Sequence, residues 1–376
     1  MKKTVCLVLL FSLLLPLLQL LSGCSRGGYE LVLVTDSGGI NDRGYNQSCW
    51  EAMTEFAIER DLDCRYFIPS AQTHDALVSQ LRAAAGDGAR VIVAPGKCFE
   101  TAVFTVQREY PDVKFIIVDG KPHPDDTMVD DIKNNTAALT YASEQAGFIA
   151  GYAAVCDGMT KLGFIGGEPD EDVRSYGFGF LQGANRAAGT LNAGVEVFYR
   201  YTGDFENNDK NKQAAAEMYE NGVDVIFACG GRLESAVMEA AAEKRGLVIC
   251  SDVDRRYDST TVLTSAVKGV SVSVSRVLRS IYDTKDFDES YGGKAVRFDC
   301  SNGGAGLASY VINDENGDAF DRFNTFTKAD YEAVLSSLNG SITVKRAPAN
   351  NDPANQTDAE YLSNELGLSN ITLNMV

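Results

Sequence analysis

LVLVTDSGGINDRGYNQSCWEAM, residues 31–53, joins a strand, a polar loop and the start of a helix in one stretch. Leu31–Val34 is a short apolar run of the kind a buried parallel strand needs, and Asp36-Ser37-Gly38-Gly39 ends it with turn chemistry. Asn41 or Asp42 then supplies a cap for a helix that carries Trp50, Met53 and Phe56 on one apolar face. The loop is therefore expected at a strand's carboxyl end, where open α/β sheets bind ligands.

From Tyr29 onward, strand-like runs alternate with helical patterns. LVLV leads to a helix ending near Arg60, then CRYFI, a helix near 75–85, ARVIVA, a helix to Tyr110 and VKFIIVD. A second round follows: a helix from Ser143 through Cys156, LGFIGG, a helix near 178–188, VEVFYRY, a helix near 210–219 and VDVIFA. Such alternation reads as a parallel sheet with helices on both faces, met twice. Residues 88–96, GARVIVAPG, align without gaps on residues 222–230, GVDVIFACG, and the match continues through ETAV at 100–103 and ESAV at 234–237. Each copy leads on to a strand ending in aspartate, IIVDG and VICSD. The expectation is two doubly wound lobes with a ligand cleft between them.

Composition narrows the chemistry. A chain of 376 residues, 45% hydrophobic, is long enough for two cores. Its net charge of −18 argues against nucleic acid, because Lys and Arg supply most non-specific phosphate binding. Only two histidines, His74 and His123, are present, which leaves little material for a histidine triad or a zinc site. Nine cysteines occur without a C-x-x-C pair and read as small buried apolar residues; no metal and no cofactor are expected.

The glycine-rich loops match neither G-x-G-x-x-G nor a P-loop: Asp36-Ser37-Gly38-Gly39 lacks the spacing, and Gly230-Gly231-Arg232 lacks the Lys-Ser/Thr end. Strand-end loops instead carry Asp36, Asp42, Asp119 and Asp252, which suit hydroxyls, amines and neutral heterocycles and repel phosphate. An isolated aspartate after a strand is equally a turn former or a cap. Asp252 and Lys268 make chemical sense together, since a carboxylate accepts both hydroxyls of a cis-diol while an ammonium keeps it charged; a structural ion pair is the other reading. Tyr45 and Phe205 sit among polar neighbours, in DRGYNQ and TGDFENN, which favours stacking roles over core roles.

The N-terminus reads as a targeting segment: Lys2 and Lys3 precede an apolar run that ends in Leu21-Ser22-Gly23-Cys24. That ending resembles the bacterial lipobox, in which the cysteine is lipidated; an uncleaved membrane anchor is the alternative. On either reading the remaining chain lies outside the cytoplasmic membrane. Residues 1–23 are assigned to the signal peptide and 24–28 to a short tether.

TDSGGINDRGYNQSCWEAM, PDVKFIIVDG, FIAGYAA, KLGFIGG, YTGDFENNDK, VDVIFACGG, VICSDVD and LTSAVKGV, in this order, resemble the basic membrane protein family of purine nucleoside receptor-like lipoproteins of bacterial ABC importers. The resemblance runs from about residue 30 to 345. It implies a type I periplasmic-binding-protein fold, two Rossmann-like lobes joined by a three-strand hinge and closing on a nucleoside. Expected boundaries are 29–143 plus 249–283 for the N-terminal lobe and 144–248 plus 284–345 for the C-terminal lobe. Residues 346–376 form a Pro- and Asn-rich tail, with Leu362, Leu366 and Leu368 hinting at a short amphipathic turn; it lies on a lobe or is disordered.

Carried over position by position, the resemblance implies that Asp36 and Asn46 lie near the ligand and that Asp42 caps the helix or reaches inward; Asn41 is counted with the ligand-binding residues. Tyr45, where the family usually has Phe, stacks on the base with Phe205. Asp119 accepts from the base edge, Gly230 and Gly231 admit the ligand to backbone, and Asp252 with Lys268 grips the ribose. Arg232 either donates to the base or turns outward. The implied partners are a nucleoside and a membrane permease, with a lipid on Cys24, no nucleic acid and a monomeric protein on the extracytoplasmic face. A nucleoside or riboflavin sensor, or a nucleoside hydrolase using paired carboxylates such as Asp36 and Asp252, is the competing class.

Overall fold

The protein's computed structural model describes residues 29–309, 319–348 and 358–376. The targeting segment, Cys24 and the tether through residue 28 lie outside these residues, as does the part of the tail from 349 to 357. In chain order the elements begin with β1 (Leu31–Val34), α1 (Tyr45–Arg60), β2 (Cys64–Phe67), α2 (His74–Gly86), β3 (Val91–Pro95), α3 (Glu100–Val106), β4 (Lys114–Val118) and β5 (Thr136–Tyr141). They continue with α4 (Ser143–Cys156), β6 (Lys161–Gly166), α5 (Glu171–Leu191), β7 (Val195–Tyr201), α6 (Asp209–Glu220), β8 (Val225–Cys229), α7 (Leu233–Lys244), β9 (Leu247–Asp252) and β10 (Val262–Lys268). The last are α8 (Val270–Arg279), α9 (Phe287–Ser290), β11 (Lys294–Phe298), β12 (Ala305–Leu307), α10 (Lys328–Leu338), α11 (Ala359–Leu366) and β13 (Ile371–Met375).

The chain divides into two compact units. The first comprises the described residues through Asp42, Cys49–Ala138 and Val277–Lys294. Its strands belong to a six-stranded sheet of order β11-β5-β4-β3-β1-β2, in which β1 pairs in parallel with β2 and β3, and β3 with β4. All four residues of β1 are fully buried, as a parallel strand covered on both faces must be. Thr73 caps α2 by accepting from the Ala76 backbone N–H, and the helix lays Leu77 and Leu81, one turn apart, on the core of Val32, Ile92, Phe99, Val103 and Phe115. Met53 and Phe56 of α1 are buried as the apolar stripe predicts, while Trp50 is half-buried and meets the ring of Tyr66 edge-on. The helix starts at Tyr45 with Gly44 before it, so Asn41 and Asp42 lie in the preceding loop and neither occupies the capping position.

The second unit comprises Arg43–Ser48, Leu139–Arg276 and the described residues from Ala295 onward. Its seven-stranded sheet has the order β12-β10-β9-β8-β6-β7-β13, with β12 antiparallel to β10. The expected lobe boundary at 249 is corrected here: β9 pairs with β8 and β10 with β9, so residues 249–276 build the second unit's own sheet. The physical reason lies in the repeat, because VICSD is the second copy's counterpart of IIVDG and completes its own βαβ unit. Residues 284–294, in turn, group with the first unit. The unit boundaries fall in the loop after Asp42, within α1, within β5, within α8 and at the start of β11.

In the second unit α4 and α5 pack backbone to backbone. A Cβ built on Gly151 would lie 2.1 Å from the Phe180 carbonyl oxygen, and one built on Gly183 would lie 1.9 Å from that of Phe148. Glycines at 147 and 151 and at 179 and 183 recur every fourth residue, which aligns them on one helix face and accounts for FIAG and GFLQG as packing motifs. Beneath them Phe164, Phe180, Tyr199 and Phe227 form an aromatic cluster, with the Phe164 and Tyr199 rings stacked at 4.5 Å. The tail adds more than a turn: β13 pairs in parallel with β7 as an edge strand, and Leu362 of α11 is buried beside Phe178 and Ala347.

Candidate ligand-binding site

The acidic and glycine-rich loops sit at the carboxyl ends of the parallel strands in each unit. In the first unit Asp36 follows β1, and its Oδ1 accepts the Gly38 backbone N–H at 2.7 Å, a side-chain turn that shapes the loop. Asn41 and Asp42 are exposed farther along it. Asp119 follows β4, buried to 8% exposure and with φ 59°, a left-handed conformation uncommon for a residue with a Cβ. Glu100 lies next to that loop: its Oε1 accepts the Lys121 backbone N–H at 2.8 Å, and its Oε2 is 3.4 Å from His123 Nε2.

In the second unit the geometry centres on Lys268, the last residue of β10, whose side chain is only 2% exposed. Its Nζ donates to the Tyr45 hydroxyl oxygen at 2.9 Å and lies 3.2 Å from Asp252 Oδ1 and 3.9 Å from Asp172 Oδ2. The ammonium also sits 5.6 Å from the Tyr45 ring centre and 5.5 Å from that of Tyr176, within cation–π range. Tyr176 donates its hydroxyl to Asp252 Oδ1 at 3.1 Å. Asp252 ends β9 with φ 66°, matching Asp119 at the equivalent strand end of the other repeat copy. Two carboxylates, a buried ammonium and two phenols therefore converge, an arrangement that both accepts and donates hydrogen bonds.

A second group lies at the ends of β6, β7 and β8. Phe205 rests on glycine backbone: a Cβ on Gly167 would come within 2.3 Å of its ring and one on Gly230 within 2.5 Å. Gly230 and Gly231 have φ 126° and 51°, so the close approach and the backbone both favour glycine at 230, and the backbone alone at 231. The loop under Phe205 is braced by Asp204, whose carboxylate accepts from the Glu206 backbone N–H at 2.9 Å and from Asn211 Nδ2 at 2.7 Å; these bonds, first that from Glu206, hold its carboxyl below the ordinary range. Arg232 turns outward and pairs with Glu206 at 3.0 Å, with side chains 74% and 56% exposed.

The structure thus brings together Tyr45, Asp252 and Lys268, and separately Phe205, Gly230 and Gly231. Asn46 is buried beside Tyr45 in the first turn of α1, and Asp36, Asn41, Asp42 and Asp119 stand at strand ends of the first unit. Sequence reasoning missed Asp172 and Tyr176, which share one face of α5 at a spacing of four; that spacing is the only local signal of their pairing. It also missed Glu234 and Arg255, whose ion pair at 3.0 Å is largely buried. Burial raises the Glu234 carboxyl above its ordinary value, with Arg255 and Ser251 offsetting part of the effect. The seven described cysteines are all free, four of them buried, and burial pushes the Cys229 and Cys250 thiols well up. Among the described residues no helix is long and apolar enough to cross a membrane.

A family model described as ABC transporter substrate-binding protein PnrA-like (Bmp) matches residues 29–343. The ABC transporter nucleoside-binding protein BmpA of Lactococcus lactis subsp. cremoris is 28% identical over 325 residues, covering 81% of this chain and 88% of its own. Basic membrane protein D of Borreliella burgdorferi is 27% identical over 288 residues, covering 75% of this chain and 78% of its own. Among solved structures, a solute-binding protein of an ABC transporter system from Aeropyrum pernix K1 superposes with a TM-score of 0.69 at 20% identity, covering 91% of this chain and 99% of that one. That likeness bears on the fold, an α/β substrate-binding architecture with two sheets.

Proposed function

The chain belongs to the PnrA-like family of ABC transporter substrate-binding proteins, and we propose from this premise that its ligand is a nucleoside, with purine nucleosides first. The observation that carries the proposal is the set around Lys268. A carboxylate at Asp252, clasped by a buried ammonium and a phenol, is suited to a vicinal diol: its oxygens accept from two hydroxyls, and its neighbours donate in return. Tyr45 and Phe205 supply aromatic faces for the base. The name of the Lactococcus relative, a nucleoside-binding protein, supports the same reading. The roles that the resemblance gives Asp36, Asn41, Asp42, Asn46 and Asp119, and the backbone contacts at Gly230 and Gly231, belong to this proposal.

Delivery to a membrane permease, lipid anchoring at Cys24, an extracytoplasmic position and a monomeric state complete it. The protein binds and releases its ligand unchanged. Isothermal titration with inosine, adenosine and guanosine is the test, with mass spectrometry of whatever ligand survives purification. Inosine is expected to bind at least about tenfold more tightly than its 5′-monophosphate, a gap of ~1.4 kcal/mol, because the carboxylates repel phosphate. Equal affinities, or multiple-turnover release of free base, overturn the proposal. Cys24→Ser is expected to release the protein from the membrane fraction; unchanged partition counts against the lipid anchor.

A further inference from the structure

Glu100 and Glu234 occupy the same position of the internal repeat, each four residues after the loop glycine, Gly96 or Gly230. Each stands in the first turn of the helix that follows, and each accepts a backbone N–H from the loop that carries a left-handed aspartate. Two copies of one device, in two separate sheets, point to a shared task.

The second unit shows the device in full. Glu234 Oε1 accepts both the backbone N–H of Ser251 at 2.8 Å and its hydroxyl at 2.6 Å, while Oε2 accepts Arg255 Nη1 at 3.0 Å. Ser251 precedes Asp252, and the Val253 N–H closes back onto the Ser251 carbonyl at 2.7 Å. With φ 66° at Asp252, this is a three-residue γ-turn of the rarer, strained form. A turn of that kind persists only when its surroundings fix it, and Glu234 holds its first residue by two bonds. Arg255 carries the bracing outward: it bonds Asp258 at 2.8 Å, the Gly231 carbonyl at 3.3 Å and the Ser235 hydroxyl at 3.4 Å. One buried carboxylate therefore ties the Gly230-Gly231 loop to the Asp252 loop. In the first unit Glu100 braces the aspartate from its other side, with the N–H of Lys121, two residues after Asp119, on one oxygen and His123 near the other, and its Cγ only 3.1 Å from where a Cβ on Gly120 would lie.

We infer that Glu234, and Glu100 in its own unit, are positioning residues that hold Asp252 and Asp119 in the left-handed backbone conformation needed to present their carboxylates to a ligand. The inference rests on the nucleoside reading of the Asp252 set. Glu234→Gln preserves size, but it turns one accepting oxygen into a donor facing either the Ser251 N–H or the Arg255 guanidinium.

A double-mutant cycle with Asp252→Asn separates positioning from general support of the fold. In titrations with inosine, Glu234→Gln is expected to weaken binding at least about tenfold in the parent, the scale of a lost bond to a charged group. In the Asp252→Asn background the same change should cost less than about twofold, because the group it acts through is already altered. Equal losses in both backgrounds, or no loss in the parent, overturn the inference. Ser251→Ala, which removes only the hydroxyl, serves if Glu234→Gln folds poorly: roughly threefold in the parent and no change beside Asp252→Asn. Glu100→Gln with Asp119→Asn repeats the cycle in the first unit and is expected to show the same non-additivity. A parent that binds no nucleoside sinks the proposed function instead. In that event amide exchange at 251–253 decides the positioning, with acceleration by Glu234→Gln expected and unchanged exchange refuting it.

Discussion

Replacing Tyr45 by Phe removes a single oxygen, and the structure says what that oxygen does. It accepts from the Lys268 ammonium at 2.9 Å, in a place where the lysine side chain is 2% exposed. The ammonium keeps Asp252 at 3.2 Å, but Asp172 at 3.9 Å is too far to take over as a direct acceptor. A hydrogen bond to a charged group contributes about 1.5–3 kcal/mol, and retention of the Asp252 contact places the loss near the lower end, ~1.5 kcal/mol. For a protein of two such units that corresponds to a fall in Tm of about 3–6 °C. Affinity for inosine should fall about tenfold, because the ring loses the tether that fixes its orientation. Tyr45→Ala, which also removes the ring face and its cation–π contact with Lys268, should weaken binding further and lower Tm at least as much. Differential scanning calorimetry and isothermal titration of the two variants measure both quantities. A Tyr45→Phe protein that melts and binds like the parent would refute the role of the phenol oxygen as the partner of Lys268.

Gly151→Ala or Gly183→Ala forces a methyl group into the facing helix's backbone, which cannot rotate away as a side chain can. Losses of at least about 1–3 kcal/mol in chemical denaturation are expected, and a variant as stable as the parent would show the α4–α5 contact to be looser than described. Arg232→Ala breaks only an exposed ion pair, so stability should change by less than about 1 kcal/mol; a tenfold change in nucleoside affinity would instead put the guanidinium on the ligand. Glu234 has a carboxyl raised above its ordinary value of 4.5, chiefly by burial. The native state thus holds this proton more tightly than the unfolded chain does. Its contribution is fully present below the ordinary value and is lost as pH rises through the raised one. Parent stability measured against Glu234→Gln should therefore climb as pH falls from neutral toward about 4.5, and a flat difference contradicts the burial of that carboxylate.

Much of the fold is legible because its signals are local. The buried β1, β3 and β8 are short apolar runs followed by polar or glycine turns, and the gapless match of GARVIVAPG with GVDVIFACG marks the repeat that both sheets express. The lobe boundary is less legible: VICSD reads as a strand, but the sheet it joins is shown by pairing, which sets Leu247–Asp252 beside Val225–Cys229. In the site, Asp252 and Lys268 are readable as complementary charges of matching chemistry. Tyr176 is not, since it lies 76 residues from Asp252 inside an apolar helix and only its hydroxyl reaches the carboxylate. Glu234 was within reach of the sequence, because the repeat pairs it with Glu100; what the pattern withholds is that each faces a loop whose aspartate has positive φ rather than solvent.

The edge formed by the last residues bears on how the protein can be handled. Ile371–Met375 lies in register with Val195–Tyr199, the Val376 N–H extends the ladder to the Tyr199 carbonyl at 3.2 Å, and Asn370 is fixed by Asn185. The family match stops at 343, so a gene shortened there keeps every residue assigned to the ligand and looks like a complete binder on paper. Its product would expose the whole outer flank of VEVFYRY, alternately apolar and rich in aromatic and branched residues, as an open row of N–H and C=O groups. Such a flank recruits other chains. Oligomers, precipitation or scattering artefacts in a trimmed preparation would then report a stripped sheet margin and say nothing about the association state of the full chain.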